Sequence, residues 1–242
     1  MNEIAFVFPV LVIIAFLYGA VGHGGASGYL AIMAIFSFQA DVMRPTALVL
    51  NIFVSTIAFI SFSQKGYFAW RRFLPFAAAS IPMAFIGGQI SINENLYKII
   101  LGVLLLVATA RMIIKTKDTS IKQIPILPAL AIGGIIGFFS GLIGIGGGII
   151  LSPVILLLGW GNLKQTAAVS SLFILVNSVS GLIGQYSNGL VFSEYMWWMV
   201  ICAVIGGGFG AWWGAHKGAP ISLKRVLALV LIVASVKLIA GI

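Results

Sequence analysis

The residues best suited to chemistry are two glycine clusters, Gly22-His23-Gly24-Gly25-Ala26-Ser27-Gly28 and Gly144-Ile145-Gly146-Gly147-Gly148. Each interrupts an otherwise apolar stretch. Glycine weakens a helix by about 1 kcal/mol per residue relative to alanine, and it admits positive φ and close backbone approach. A helix that restarts after such a break presents its first N–H groups and the positive end of its dipole, a combination that holds anions. Gly22, Gly24, Gly25, Gly144, Gly146, Gly147 and Gly148 are therefore candidate substrate-binding positions. Glycines spaced by four, at 133/137/141 and 206/210/214, are expected to be packing ridges between helices instead.

Side chains near these clusters supply the rest of the candidate site. Ser27, Asn51, Ser55 and Ser171 are read as supplementary donors. Asn51 and Ser55 share a helix face by their i,i+4 spacing, and Asn51 aligns with Ser171 between the two halves of the chain. Interhelical hydrogen bonding is the competing role for such residues. His23 is the one ionisable side chain expected deep in a span. That position favours function, the alternative being a neutral ring bonded to a backbone carbonyl that the glycines expose. Gly25-Ala26-Ser27-Gly28 spells G-x-S-G, which raises an intramembrane serine hydrolase as an alternative. A nucleophilic serine needs a base within hydrogen-bond reach, but His23 precedes the break and Ile149 occupies the matching position of the second cluster. No catalytic residue is assigned. Neither metal nor cofactor is expected, because Cys202, His23 and His216 are too few and too dispersed for a cage. Trp197, Trp198, Trp212 and Trp213 read as interfacial belts.

The elements that must carry these residues follow from composition. The 242 residues include 14 Lys+Arg and 5 Asp+Glu, so 8% are charged while 61% are hydrophobic, against about 25% charged in soluble domains. No charge lies between Glu3 and Asp41, Lys122 and Lys164, Lys164 and Glu194, or Glu194 and Lys217. Each gap accommodates a membrane helix of about 20 residues. Ten apolar segments are expected, near 4–21, 26–39, 46–63, 73–91 and 96–114, then 126–143, 148–159, 166–185, 195–215 and 224–242. The first is expected to be kept as a helix, since it lacks the marks of a cleaved leader. The second segment of each half is short, so it either crosses the bilayer or forms a re-entrant hairpin.

The fold class expected is an all-α polytopic membrane protein made of two inverted repeats of five segments, with glycine-broken helices or re-entrant hairpins near the midplane. The first repeat is 1–114, the cytoplasmic linker 115–125 and the second repeat 126–242. Motif matches support the duplication: Gly19-x-x-Gly22-x-Gly24-Gly25 with Gly141-x-x-Gly144-x-Gly146-Gly147, Arg44-Pro-Thr46-Ala47 with Lys164-Gln-Thr166-Ala167, Phe53 with Phe173, and Gly66 with Gly189. An inverted arrangement collects Lys65, Arg71, Arg72, Arg111, Lys115, Lys117, Lys122, Lys164, Lys217, Lys224 and Arg225 on one face and only Arg44, Lys98 and Lys237 on the other, 11 against 3. Parallel halves give 8 against 6. Cytoplasmic loops are rich in Lys and Arg, so both termini are expected outside. The basic residues are too scattered for a nucleic-acid surface. No Asp or Glu falls inside a span, which disfavours a cation carrier and points to an anion.

At GAVGHGGASGYL (19–30) and GLIGIGGGIILSP (141–153), and at the Arg-Pro-Thr-Ala and Lys-Gln-Thr-Ala stretches that follow, the sequence resembles the sulfite exporter TauE/SafE family of bacterial membrane transporters. The resemblance covers essentially the whole chain. It departs from the family pattern at His23 and where the first motif lacks the equivalent of Pro153. It implies transport of a small sulfur-containing anion, such as sulfite or an organosulfonate, across the bacterial cytoplasmic membrane, with the seven cluster glycines in the substrate region. The expected partners are that anion and the lipid bilayer, with a homodimer allowed. A structural membrane component without a substrate is the remaining alternative.

Overall fold

In the computed structural model the backbone is described for residues 2–113, 121–217 and 221–240, and side chains for 6–107, 121–217 and 231–240. Ten α-helices follow one another: α1 (Asn2–Ala20), α2 (Ala26–Ile35), α3 (Ala40–Ser63), α4 (Trp70–Gln89), α5 (Glu94–Ile113), α6 (Ile126–Ile143), α7 (Gly148–Leu157), α8 (Leu163–Tyr186), α9 (Met196–His216) and α10 (Ile221–Ala240). Most of the expected linker, and the Arg111, Lys115, Lys117, Lys224 and Arg225 side chains that enter the charge comparison, lie outside the described residues. Among the described helices α3, α6, α8 and α9 are long and apolar enough to cross a bilayer. Large apolar side chains such as Ile13, Leu74, Phe85, Ile183 and Phe209 point outward, as a lipid-facing surface requires. The chain is an all-helical, multi-pass membrane protein.

Five segment boundaries differ from expectation by three residues or more: the end of α2 (Ile35 for 39) and the starts of α3 (Ala40 for 46), α4 (Trp70 for 73), α8 (Leu163 for 166) and α10 (Ile221 for 224). α3 begins at Ala40 and not near 46, so Pro45 lies inside the helix. It forgoes only the one backbone bond that a proline N–H would have made near a helix start. α8 begins at Leu163 because Asn162 and Gln165 form a capping box, with Gln165 N–H to Asn162 Oδ1 at 3.0 Å and Asn162 N–H to Gln165 Oε1 at 3.2 Å. That pattern is readable in sequence.

The glycine ridges set helix direction. Gly206, Gly210 and Gly214 meet the carbonyls of Val12, Phe16 and Ala20 in turn, so α9 and α1 run the same way. Gly133, Gly137 and Gly141 meet those of Phe76, Ser80 and Ala84, aligning α6 with α4. Any Cβ there would overlap backbone, which is the packing role expected of these runs. α8 also follows α4, through Ser180 Oγ to Ile81 O at 2.6 Å, Gly184 against Phe85 O, and Asn188 Nδ2 to Gln89 O at 2.8 Å. α3 follows α9, with Val54 at Gly207 and Phe62 clustered with Ala215. Leu48 against Gly181 and Asn51 bonded to Ser178 make α3 and α8 antiparallel. Thus α1, α3 and α9 run one way and α4, α6 and α8 the other.

α2 and α7 are ten residues each, about 15 Å of helix and half of a hydrocarbon core of about 30 Å. Neither crosses. Both end in the same turn: Phe38 N–H to Met33 O at 2.9 Å with Ser37 N–H to Ala34 O at 3.1 Å, and Trp160 N–H to Ile155 O at 2.9 Å with Gly159 N–H to Leu156 O at 3.2 Å. This paired 6→1 and 5→2 closure requires a left-handed residue, supplied by Ser37 at φ 58 and Gly159 at φ 69.

Candidate functional site

The half-helices start where their glycines turn the chain. Gly25 (φ 99) is the N-cap of α2 and Gly147 (φ 78) that of α7, while Gly22, Gly144 and Gly146 also have positive φ. Side chains other than glycine rarely adopt this conformation. All seven cluster glycines are buried, so neither break faces lipid.

The two breaks converge on the same two side chains. A Cβ on Gly24 would come within 2.5 Å of Asn51 Oδ1 and 2.8 Å of Ile174 Cγ2. One on Gly146 would overlap Asn51 Nδ2 and lie 2.9 Å from Ile174 Cγ2, and one on Gly148 would overlap the end of Ile174. Asn51 and Ile174 occupy equivalent stations, each eleven residues from the start and twelve from the end of the 24-residue helices α3 and α8. Both half-helices therefore begin halfway along the long helices.

Asn51 is buried and bonded at both ends of its amide. Its Oδ1 accepts from Ala26 N–H, the first residue of α2, at 2.9 Å, and its Nδ2 donates to Ser178 Oγ on α8 at 3.3 Å. The amide acts as an N-cap supplied from another helix. Ile174 stands against the start of α7 and can accept nothing. The outer turns pack crosswise, with Gly22 against Ala167 of α8 and Gly144 against the Arg44 backbone of α3.

The remaining candidates are placed differently. The Ser27 hydroxyl shares a 2.6 Å hydrogen bond with Tyr18 of α1, and Ser171 Oγ donates to Ala168 O of its own helix at 2.9 Å. The Ser171 proton is thereby committed within its own helix, and a hydroxyl already paired in a dry interior gains little by exchange, whereas the Ser27 proton is free for a ligand only when Tyr18 donates. Counted from the helix start, the station equivalent to Asn51 is Ile174 and not Ser171. Matching the Thr-Ala pairs at an offset of 120 slips the true spacing of these helices by three residues, a shift that keeps a residue on nearly the same helix face and so preserves the chemical likeness. Ser55 Oγ is buried with no partner among the described residues. His23 is half-buried, with Nδ1 3.0 Å from Val21 O and its ring edge-on to Tyr18, close to the backbone-bonded alternative. Trp197, Trp198, Trp212 and Trp213 are exposed at the two ends of α9.

Sequence reading missed three contributors. Ile174 carries no polar signal. The buried Tyr29 phenol lies over Gly25, 2.5 Å from where a Cβ would be, as expected of a helical side chain that leans back toward its own N-terminus. Ser140 of α6 sits beside Gly147, its buried hydroxyl without a partner among the described residues.

Residues 7–238 match the family model described as Sulfite exporter TauE/SafE. The chain is 37% identical over 233 residues to a protein named Probable membrane transporter protein y4hK from Sinorhizobium fredii, covering 94% of each chain. It is 24% identical over 269 residues to Probable membrane transporter protein YunE of Bacillus subtilis, covering 96% of this chain and 94% of that one. No solved structure matches. A match spanning nearly every helix, including both glycine breaks, makes the chain a member of the TauE/SafE sulfite exporter family of membrane transporters.

Proposed function

We propose that the protein is a secondary transporter that carries a small sulfur-containing anion, sulfite or an organosulfonate, across the bacterial cytoplasmic membrane by alternating access. The observation that carries this reading is the convergence of two buried half-helix N-termini on Asn51 and Ile174 at mid-depth. N–H groups at Gly146, Gly147 and Gly148, with the positive end of the α7 dipole, replace the hydration shell of the anion. The Asn51 amide closes the opposite side. Discontinuous helices that meet at the midplane are a recurrent transporter device.

The two halves, 1–114 and 126–242, are read as an inverted duplication. This is supported by the opposed directions of α1 and α6, of α3 and α8, and of α4 and α9, and by the crosswise packing of each outer glycine turn on the other half. Such halves can exchange inward-open and outward-open states by rocking about a fixed site. The charge bias orients both termini to the outside. At Ser27 the hydrolase alternative finds a phenol as partner rather than a base.

Counterflow of labelled sulfite into proteoliposomes tests the proposal. The wild type should exchange sulfite and Gly147→Leu should not, since leucine at φ 78 is strained and its side chain would enter the space of Ile136 and Phe173. Unchanged flux in a correctly folded Gly147→Leu protein would discard the site, and the absence of any sulfite exchange by the wild type would discard the substrate.

A further inference from the structure

A second polar site lies away from the midplane, where α2 ends. A cavity of about 140 Å³ is bounded there by Ser37 and Phe38 after α2, Met43 of α3, Glu94 and Lys98 of α5, and Lys237 of α10. Two ammonium groups face one carboxylate. Glu94 is committed to Lys98 by a 2.9 Å ion pair, which leaves Lys237 as unbalanced charge at the cavity.

Lys237 is half-buried and directed. Its Nζ donates to Ile35 O at 2.6 Å and to Ser37 Oγ at 3.1 Å. An ammonium has three donors, and the third has no partner among the described residues. Because Ser37 Oγ accepts from Lys237, its own proton remains to be donated. The cavity thus offers a spare N–H and a spare O–H beside net positive charge, while Phe38 and Met43 give it an apolar wall. Among the described residues the matching end of α7 lacks this chemistry. There Gly159 replaces the serine, and the Gly159 carbonyl is taken by the backbone N–H of Lys122 at 2.7 Å.

We propose that this cavity is an anion-binding site, distinct from the glycine breaks, for an acid group on a short carbon stem. The acid oxygens accept from Lys237 Nζ and Ser37 Oγ with Lys98 nearby, and the stem lies against Phe38 and Met43. Among the described residues the site exists at one end of the molecule, from which it captures anions on one side of the membrane. A phospholipid phosphate shares this chemistry and is the other source of ligand.

The test is calorimetric titration of ethanesulfonate into the full chain in phosphatidylcholine nanodiscs, with uncharged propionamide as control. Ethanesulfonate should show an equivalent that depends on Lys237 and propionamide none. Lys237→Met should weaken that equivalent by about tenfold or more, the expected effect of removing a charge-assisted hydrogen bond. Ser37→Gly should weaken it by about threefold, and because φ 58 suits glycine, that variant keeps the fold and separates loss of the site from any loosening of α2 in Lys237→Met. If both variants bind as the wild type does, the proposal is overturned, whatever happens at the midplane. If the wild type shows a single equivalent that both variants diminish, the cavity stands and the midplane reading falls. Loss of the Lys237-dependent equivalent on adding phosphatidylglycerol supports the site with lipid phosphate as its occupant.

Discussion

Asn51 and Ile174 occupy the same station on α3 and α8, yet one is an amide and the other a hydrocarbon. Each stands between the two glycine breaks. Asn51 supplies the acceptor that closes α2 and the donor that ties it to α8, whereas Ile174 offers α7 only bulk. A helix N-terminus leaves its first donors without intrahelical partners. One half of the centre therefore satisfies a donor internally, and the other leaves that task to whatever binds. Within the proposed transport reading, this difference makes the α7 break the side that would receive the anion and the α2 break the side that is held in place.

The largest effect should come from removing the shared wedge. Ile174→Ala deletes buried carbon that touches Gly24, Gly146 and Gly148. Substitutions of this kind in a packed interior cost about 2–5 kcal/mol. Unfolding in detergent, followed by tryptophan fluorescence, should show a loss of about 3 kcal/mol. A loss below about 1 kcal/mol would mean that the breaks are held apart by something else.

Asn51→Ala comes next. It strips the cap from α2 and leaves Ala26 N–H buried without an acceptor, at a cost of about 2 kcal/mol. Hydrogen exchange should then quicken at the start of α2 and stay unchanged at the start of α7. Equal acceleration at both would erase the asymmetry.

Much of this arrangement was legible in the sequence, because glycine is unambiguous where it clusters. Gly25 and Gly147 marked the helix starts, and the spacing of Gly133, Gly137 and Gly141 marked a ridge. The membrane class followed from the charge-free stretches. What the sequence did not disclose was partnership. Ser171 looks like a spare donor until the Ala168 carbonyl is placed beside it, and Ser27 gains a phenol partner in Tyr18. Asn51 looks like a ligand until the N–H of Ala26 meets its carbonyl. Ile174 has no signal at all, since its importance comes from position and not from chemistry. The register slip at Thr46 and Thr166 had the same origin, for residues three apart on a helix look alike from one side.

Symmetrising the centre sharpens the comparison further. Ile174→Asn places a second amide carbonyl at the start of α7, where it can take the N–H groups that the proposed site offers to the anion. Stability should fall by less than in Ile174→Ala, because the new cap offsets part of the lost burial, while sulfite counterflow should fall by about tenfold, equivalent to about 1.4 kcal/mol. Undiminished flux would shift the receiving side to α2, and with it the proposed division of labour.

The smallest effect concerns the far ends of the half-helices, where the same closing turn uses Ser37 in one case and Gly159 in the other. A left-handed residue is demanded at both, and a Cβ there costs about 1 kcal/mol. Gly159→Ala should therefore lower stability by about 1 kcal/mol, while Ser37→Gly should raise it by less than that, because the hydroxyl that accepts from Lys237 is lost at the same time. If serine at 37 were a neutral substitution, the two changes would mirror one another in size. A smaller gain at 37 than loss at 159, measured by the same unfolding assay, indicates that the Ser37 hydroxyl offsets part of its own backbone strain. That offset is the expected signature of a residue retained at α2 for its polar contact, at the end of the molecule where α7 manages with backbone alone.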